Sequence, residues 1–307
     1  MTIQQPPVVV GHDGTDASHG ALHFAVTEAR RDGVPLRIVH AMPLPASAFL
    51  DSPVLVEELD AERERIESEL RAVATRTAGD VEVQVVTCHG TPASVLLATA
   101  EDARILVIGR ERRTGLQRLI GGATAEAVAA HAASPVVVVP EDWRADRPAR
   151  RRIVVALKEP AHSNELLDVA FRRAEQSGAA LRVVHAWDPA HDALDAHLPD
   201  SWTPRALLVD RAEAAITGLL QPWRRAYPSV PVGVEVHPVD PRADLLEETS
   251  AADLVLMLRG TAPVLGPHLG GVLRTALHAS DCPVLVVPAT GEAMTPFELE
   301  REGALLR

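Results

Sequence analysis

Stretches of this chain occur twice. Leu36-Arg-Ile-Val-His-Ala41 returns as Leu181-Arg-Val-Val-His-Ala186, and Pro135-Val-Val-Val-Val-Pro140 returns as Pro283-Val-Leu-Val-Val-Pro288. Self-similarity at that spacing restricts the chain to tandem copies of one domain, and 307 residues is a length for two domains. Each copy is long enough to bury a core without disulfides or metals. We expect domains over 1–140 and 153–288, a linker over 141–152 and a tail over 289–307. The duplication also lets a site in one copy be judged against the same position in the other.

Apolar periodicity switches back and forth within each copy. Val8-Val9-Val10 is too short for a helix and is bounded by Gly11 and Gly14, so it reads as a buried strand; Leu22, Ala25, Val26 and Ala29 then follow helical spacing. Copy two answers with Ile153-Val154-Val155, then Leu167, Ala170, Phe171 and Ala174. Long charged helices are expected near 55–77 and 204–227, with Leu59, Ile66, Leu70 and Val73 turned inward in the first. Val81–Val86 alternates like a strand. Thr91-Pro92 and Asp240-Pro241 are helix starts, a capping side chain followed by a proline whose missing N–H costs nothing there. Ile105–Ile108 and Leu254–Leu258 are fourth strands, each followed by a glycine-containing loop, a short helix and the closing valine strand. Strands alternating with helices, most of them near-continuous apolar runs, imply α/β domains. Each is a doubly wound, five-stranded parallel sheet flanked by helices, Rossmann-like in plan.

Composition narrows the function. A net charge of −12 and 3% aromatic residues argue against nucleic-acid binding, which favours a basic surface and stacking rings. The arginines of the linker (Arg144, Arg147, Arg150, Arg151, Arg152) read as a solvated connector. The N-terminus lacks a basic, then apolar, leader, and no run approaches the length of a membrane span, so a cytoplasmic location and no membrane partner are expected. Cys88 and Cys282 read as small buried hydrophobes. The histidine pair His19 and His23, and the loop group His191, Asp192, Asp195 and His197, lack a known metal spacing. No metal site is expected. His40 and His185 recur inside the second strand and read as hydrogen-bonded structural histidines.

Ligands of open parallel sheets bind beyond the carboxyl ends of the strands, where strand order reverses. In copy one that crest is made by Gly11-His12-Asp13-Gly14-Thr15 after strand one and by the loop from Gly109 to Gly122 after strand four. Glycines allow close approach to phosphate, and the helix beyond presents free N–H groups.

These stretches, with Val39-His-Ala41, Gly90-Thr-Pro-Ala93 and the run Gly122 to Pro135, resemble the universal stress protein family in its tandem form, over about 7–140 and 151–288. Members that bind ATP carry Gly-x-x-Gly, nine residues, then Gly-Ser/Thr after strand four, with an aspartate after strand one and a small apolar residue behind the strand-two histidine. By that resemblance copy one keeps Gly11, Asp13, Ala41, Gly109 and Gly122. It departs at Arg112, where the second glycine belongs, at Ala123, the hydroxyl position, and at Ala125. Arg112 could grip a phosphate or fill its place. In copy two Asp13 becomes Lys158 and Gly14 becomes Glu159. The first motif glycine is read as Met257, Gly260 and Gly270 keep the spacing, and Gly271 and Leu273 replace the hydroxyl residues.

Simpler roles stand beside these. Asp13 could cap the following helix. Gly11, Gly14, Gly109 and Gly122 could serve turns, Ala41 could serve packing, and Arg110, Arg112 and Arg113 could belong to a solvated loop. The resemblance implies a regulatory or protective module, not an enzyme. It would hold one adenine nucleotide, ATP or AMP, in copy one, with Mg only as the nucleotide's companion. Adenine would lie by Ala41 and Asp13, and the phosphates by the Gly109–Gly122 loop. It further implies pairing of the closing strands of the two copies, a homodimer, and a protein partner of unknown identity. Two alternatives remain: a nucleotide-independent, dimerising interaction module in which both sites have decayed, and an ATP-hydrolysing enzyme. The latter has no evident general base beside a phosphate loop.

Overall fold

The computed structural model describes residues 5–43, 53–110, 123–159, 163–188, 205–262 and 266–289. The chain divides into two compact units, Met1–Arg147 and Pro148–Arg307. Unit 1 runs β1 (Val8–Gly11), α1 (Asp16–Asp32), β2 (Leu36–Met42), α2 (Pro53–Ala78), β3 (Val83–His89), α3 (Pro92–Thr99), β4 (Ile105–Arg110), α4 (Ala123–His131) and β5 (Val136–Pro140). Its strands lie in the order β3-β2-β1-β4-β5, every described pair parallel. The order reverses beside β1, whose neighbours are β2 and β4, and this puts a crevice at the carboxyl ends of β1 and β4.

Unit 2 repeats the plan. It comprises β6 (Arg152–Ala156), α5 (Asn164–Ser177), β7 (Ala180–Ala186), α6 (Arg205–Ala226), β8 (Val232–His237), α7 (Pro241–Ser250), β9 (Leu254–Leu258), β10 (Gly260–Ala262), β11 (Gly266–His268), α8 (Gly271–Ala279) and β12 (Val284–Val287). Its main strands are ordered β12-β9-β6-β7-β8, again parallel. One expectation changes here. The segment after β9 is not only a loop, since Gly260–Ala262 and Gly266–His268 pair antiparallel as a small hairpin. Its strands are separated by so few residues that they can fold directly back on each other.

The central strands are buried on both faces. Val8, Val9, Val10, Val154 and Val155 are 0% exposed, which is why they read as unbroken apolar runs. Helix ends follow the local chemistry of their residues. Thr91 caps α3 by accepting from the Ser94 N–H, Asp240 caps α7 by accepting from the Arg242 N–H, and a proline follows each cap. Gly33 and Gly178 close α1 and α5 at φ 64° and 62°, a left-handed conformation glycine adopts without strain, and each returns its N–H to carbonyls of the last turn. In unit 2 Phe171 of α5 stacks on Trp223 and packs at a tilt against Tyr227, at 5.6 and 5.5 Å between ring centres.

Helices cover both faces of the unit 1 sheet, and two glycines mark the division. A Cβ on Gly11 would meet Leu96 of α3, whereas a Cβ on Gly109 would meet the backbone of α1. Gly11 lies beside Ile108 and Gly109 is the next residue of β4, so their directions are opposite. α3 therefore covers one face and α1 the other.

Candidate functional site

The turn between β1 and α1 is built by its own side chains. Asp13 Oδ1 accepts from the Thr15 N–H at 3.1 Å and from the Thr15 hydroxyl at 2.7 Å. Thr15 Oγ1 in turn accepts from the Ser18 N–H at 3.3 Å and is the N-cap of α1. Asp13 is thus not the cap itself; it orients the residue that is. Burial pushes the Asp13 carboxyl up, but hydrogen bonds from Thr15 and Ser18 outweigh it and hold its pKa below the ordinary value. Gly14, at φ 86° with open space around its Cβ position, serves the turn as expected.

Gly11 and Gly109 do something else. Gly11 ends β1 and has no turn to make; a Cβ there would lie 3.1 Å from Leu96 Cδ2. Gly109 pairs with Val139 inside the sheet, and a Cβ there would fall 2.2 Å from the Ala17 carbonyl oxygen. Its smallness lets the first turn of α1 rest on β4, so the expected turn role is corrected to one of packing. Arg110 is also corrected. It is the last residue of β4, 8% exposed, and not part of a solvated loop. Its counterpart Arg259 is equally buried.

Strand register locates the same positions in unit 2. Val8 faces Ile105 and Ile153 faces Leu254, so Ile108 corresponds to Met257 and Gly109 to Leu258. The expectation that Met257 replaces the first motif glycine is therefore off by one. Motif spacing alone cannot see the shorter interval to Gly260, which opens β10. α5 starts at Asn164, three register positions later than α1, after a Ser163 N-cap with no side-chain capping bond. A leucine at 258 stands where Gly109 admits a helix turn. Lys158, in Asp13's place, is exposed and lies 3.2 Å from Glu159. Gly270 is the N-cap of α8, and Leu273 is a buried core residue of that helix.

His40 and His185 have the structural role read from the sequence. His40 Nδ1 donates to the His12 carbonyl at 2.7 Å, and His185 Nδ1 to the Leu157 carbonyl at 2.8 Å. Ala41 shares a strand face with Arg37, whose guanidinium reaches the Thr99 carbonyl at the end of α3. His40 and Met42 occupy the opposite face. A ligand touching both Ala41 and Asp13 must therefore lie across the strand ends. Ala123 opens α4 and is exposed. Arg112, Arg113 and Gly122 lie outside the described residues, as do the group at 191–197 and the tail beyond residue 289. Cys282 is buried, while Cys88 is only half-buried.

Sequence reasoning did not anticipate a cleft of about 470 Å³ on the α2 side of the β1–β3 strand ends. Its roof is the inward stripe of α2, which was legible; that part of the stripe overhangs an open space was not. His12, His19, His40 and His89 line it. Among the described residues, no three His, Cys, Asp or Glu side chains are placed to share a metal ion, and no helix is long and apolar enough to cross a membrane.

The family model for the universal stress protein family matches residues 6–140 and again 149–288. Universal stress protein Rv1996 of Mycobacterium tuberculosis H37Rv is 27% identical over 309 residues, covering 94% of this chain and 97% of that protein. Universal stress protein MT2698 of M. tuberculosis CDC 1551 is 32% identical over 287 residues, covering 91% and 95%. Among solved structures, a universal stress protein of Archaeoglobus fulgidus shares the fold with a TM-score of 0.65 at 15% identity, covering 94% of this chain and all of that one. With the family model matched twice and both copies folded on one plan, the chain belongs to the universal stress protein family, in tandem form.

Proposed function

We propose that the chain is a regulatory or protective module without catalytic turnover, holding one adenine nucleotide, ATP or AMP, per chain in unit 1. The difference between the units where the first helix leaves the sheet carries this reading. In unit 1 Asp13 and Thr15 order the turn, and Gly109 seats the start of α1 against β4. The helix N-terminus then stands at the crest where the strand order reverses. In unit 2 the acidic residue is Lys158, Gly109 is Leu258, and the helix begins later. Mg would enter only with the nucleotide. Denaturing the purified protein and assaying the released small molecules by chromatography tests this, together with calorimetry of added ATP and AMP. We expect binding with a stoichiometry of one, lost on Leu substitution at Gly109. Neither co-released nucleotide nor heat on titration would refute it.

One observation favours the interaction-module reading. Packing against Ala17 accounts for Gly109 without any ligand. On that reading the chain acts through contacts with other chains, and both titrations are silent.

A further inference from the structure

We propose that the cleft on the α2 side of unit 1 is a second binding site, selective for small aromatic cations that carry N–H donors, such as aryl amidines. This goes beyond the nucleotide reading and does not depend on it.

The starting point is His12. Its side chain is 5% exposed, lines the cleft, and has neither ring nitrogen hydrogen-bonded among the described residues. Burial, reinforced by His19 and His40 and partly opposed by Asp13, pushes its pKa down to about 4, so the ring is neutral at ordinary pH. A neutral imidazole offers one donor and one acceptor. Leaving such groups unsatisfied in a buried position costs about 1–3 kcal/mol each, and a ligand that donates to the acceptor nitrogen recovers that nitrogen's share.

The neighbours determine that polarity. His40 Nδ1 donates to the His12 carbonyl and His19 Nδ1 donates to the Thr15 carbonyl at 2.8 Å. In the tautomer with the proton on Nδ1, each Nε2 is an acceptor. Asp13, Glu62 and Glu69 add carboxylates around the mouth, and the one guanidinium among the described lining residues, Arg65, is already bonded to Glu62 and Glu69 at 2.6 Å each. The cleft is rich in acceptors and negative charge, with little to offer a phosphate. Its remaining walls are apolar: Met42 from β2, and Leu59, Ile66, Leu70 and Val73 from α2. Its volume falls in the range of small-molecule sites, roughly 300–1,000 Å³. An apolar wall with acceptors at one end and carboxylates at the rim matches a flat hydrocarbon body ending in a cationic donor group.

Benzamidine is the probe, and benzoate its anionic counterpart of the same shape. Calorimetry on the full chain should give one benzamidine site, with benzoate at least tenfold weaker. His12→Phe keeps the ring volume and removes both nitrogens; it should weaken benzamidine roughly tenfold or more, the loss of one hydrogen bond to a charged group. Ile66→Trp, which fills the cleft from α2, should abolish binding, with circular dichroism confirming that both variants fold. No heat at millimolar benzamidine, equal binding of benzoate, or wild-type affinity in Ile66→Trp would each overturn the proposal. A silent ATP titration with a positive benzamidine titration would separate this site from the nucleotide reading.

Discussion

Gly109→Ala adds one methyl group at the tightest of the described glycine positions in unit 1. The new carbon would lie 2.2 Å from the Ala17 carbonyl oxygen, 2.5 Å from its carbon and 2.9 Å from the Ser18 nitrogen. These atoms are backbone, so no side chain can swing away to relieve the clash. Non-bonded heavy atoms settle near 3.5 Å, so the first turn of α1 must retreat by about 1 Å. Overpacking of that kind costs about 1–3 kcal/mol. The Thr15 cap sits on the displaced turn, and losing it adds about 1 kcal/mol. The combined loss of about 2–4 kcal/mol should lower the melting temperature of unit 1 by roughly 6–13 °C. Gly218→Ala is the matched control. It makes the same chemical change inside α6, where nothing lies within 4 Å of the added carbon, and should stabilise by about 0.4–1 kcal/mol through the unfolded chain. Denaturant unfolding followed by hydrogen-exchange mass spectrometry assigns each effect to its unit. If Gly109→Ala proves no more damaging than Gly218→Ala, the close helix–strand approach is refuted.

Two further outcomes follow from charged and buried groups. Burial pushes the Asp32 carboxyl up, but hydrogen bonds and charges from Arg31 and Arg104 outweigh it, leaving its pKa below the ordinary value. Such a group contributes stability that is present above the unfolded pKa of ~3.9 and is lost as pH falls through the folded value. Asp32→Asn should therefore be less stable than the wild type at neutral pH, with the gap closing below about pH 4; a gap independent of pH in urea titrations would contradict this. Cys282 has its thiol pushed up to about 12 by burial, so iodoacetamide at mildly alkaline pH should modify Cys88 first and Cys282 only in denaturant. Peptide mass spectrometry showing Cys282 alkylated in the folded protein would contradict its burial.

The architecture was legible because it rests on repeated, local patterns. Valine runs, the Thr91-Pro92 and Asp240-Pro241 starts and the shared Leu-Arg-x-Val-His-Ala motif each carry their meaning within a few residues. The site was legible only in part, because its residues answer to neighbours far along the chain. Gly11 and Gly109 look alike in sequence, yet one makes room for Leu96 and the other for Ala17. Met257 satisfied the motif spacing, while strand pairing assigns Gly109's place to Leu258. Arg110 stood among arginines and read as solvated, but it closes a buried strand. The histidine-lined cleft had no signal of its own, since His12, His19, His40 and His89 converge only once α2 lies over the strand ends.

The bond from the second-strand histidine to the loop after the first strand has a consequence for how such chains diverge. Its acceptor is a main-chain oxygen, at His12 in one unit and Leu157 in the other. Every residue type supplies that atom, so the tether is indifferent to the loop's side chains. The loop can exchange His12-Asp13-Gly14 for Leu157-Lys158-Glu159, reversing a charge, while its main chain stays pinned at the same height. Duplicated copies of this kind can therefore drift in the chemistry of this loop while its first residue is held in place, and a histidine whose Nδ1 is committed to the main chain preserves the loop's freedom to acquire a ligand.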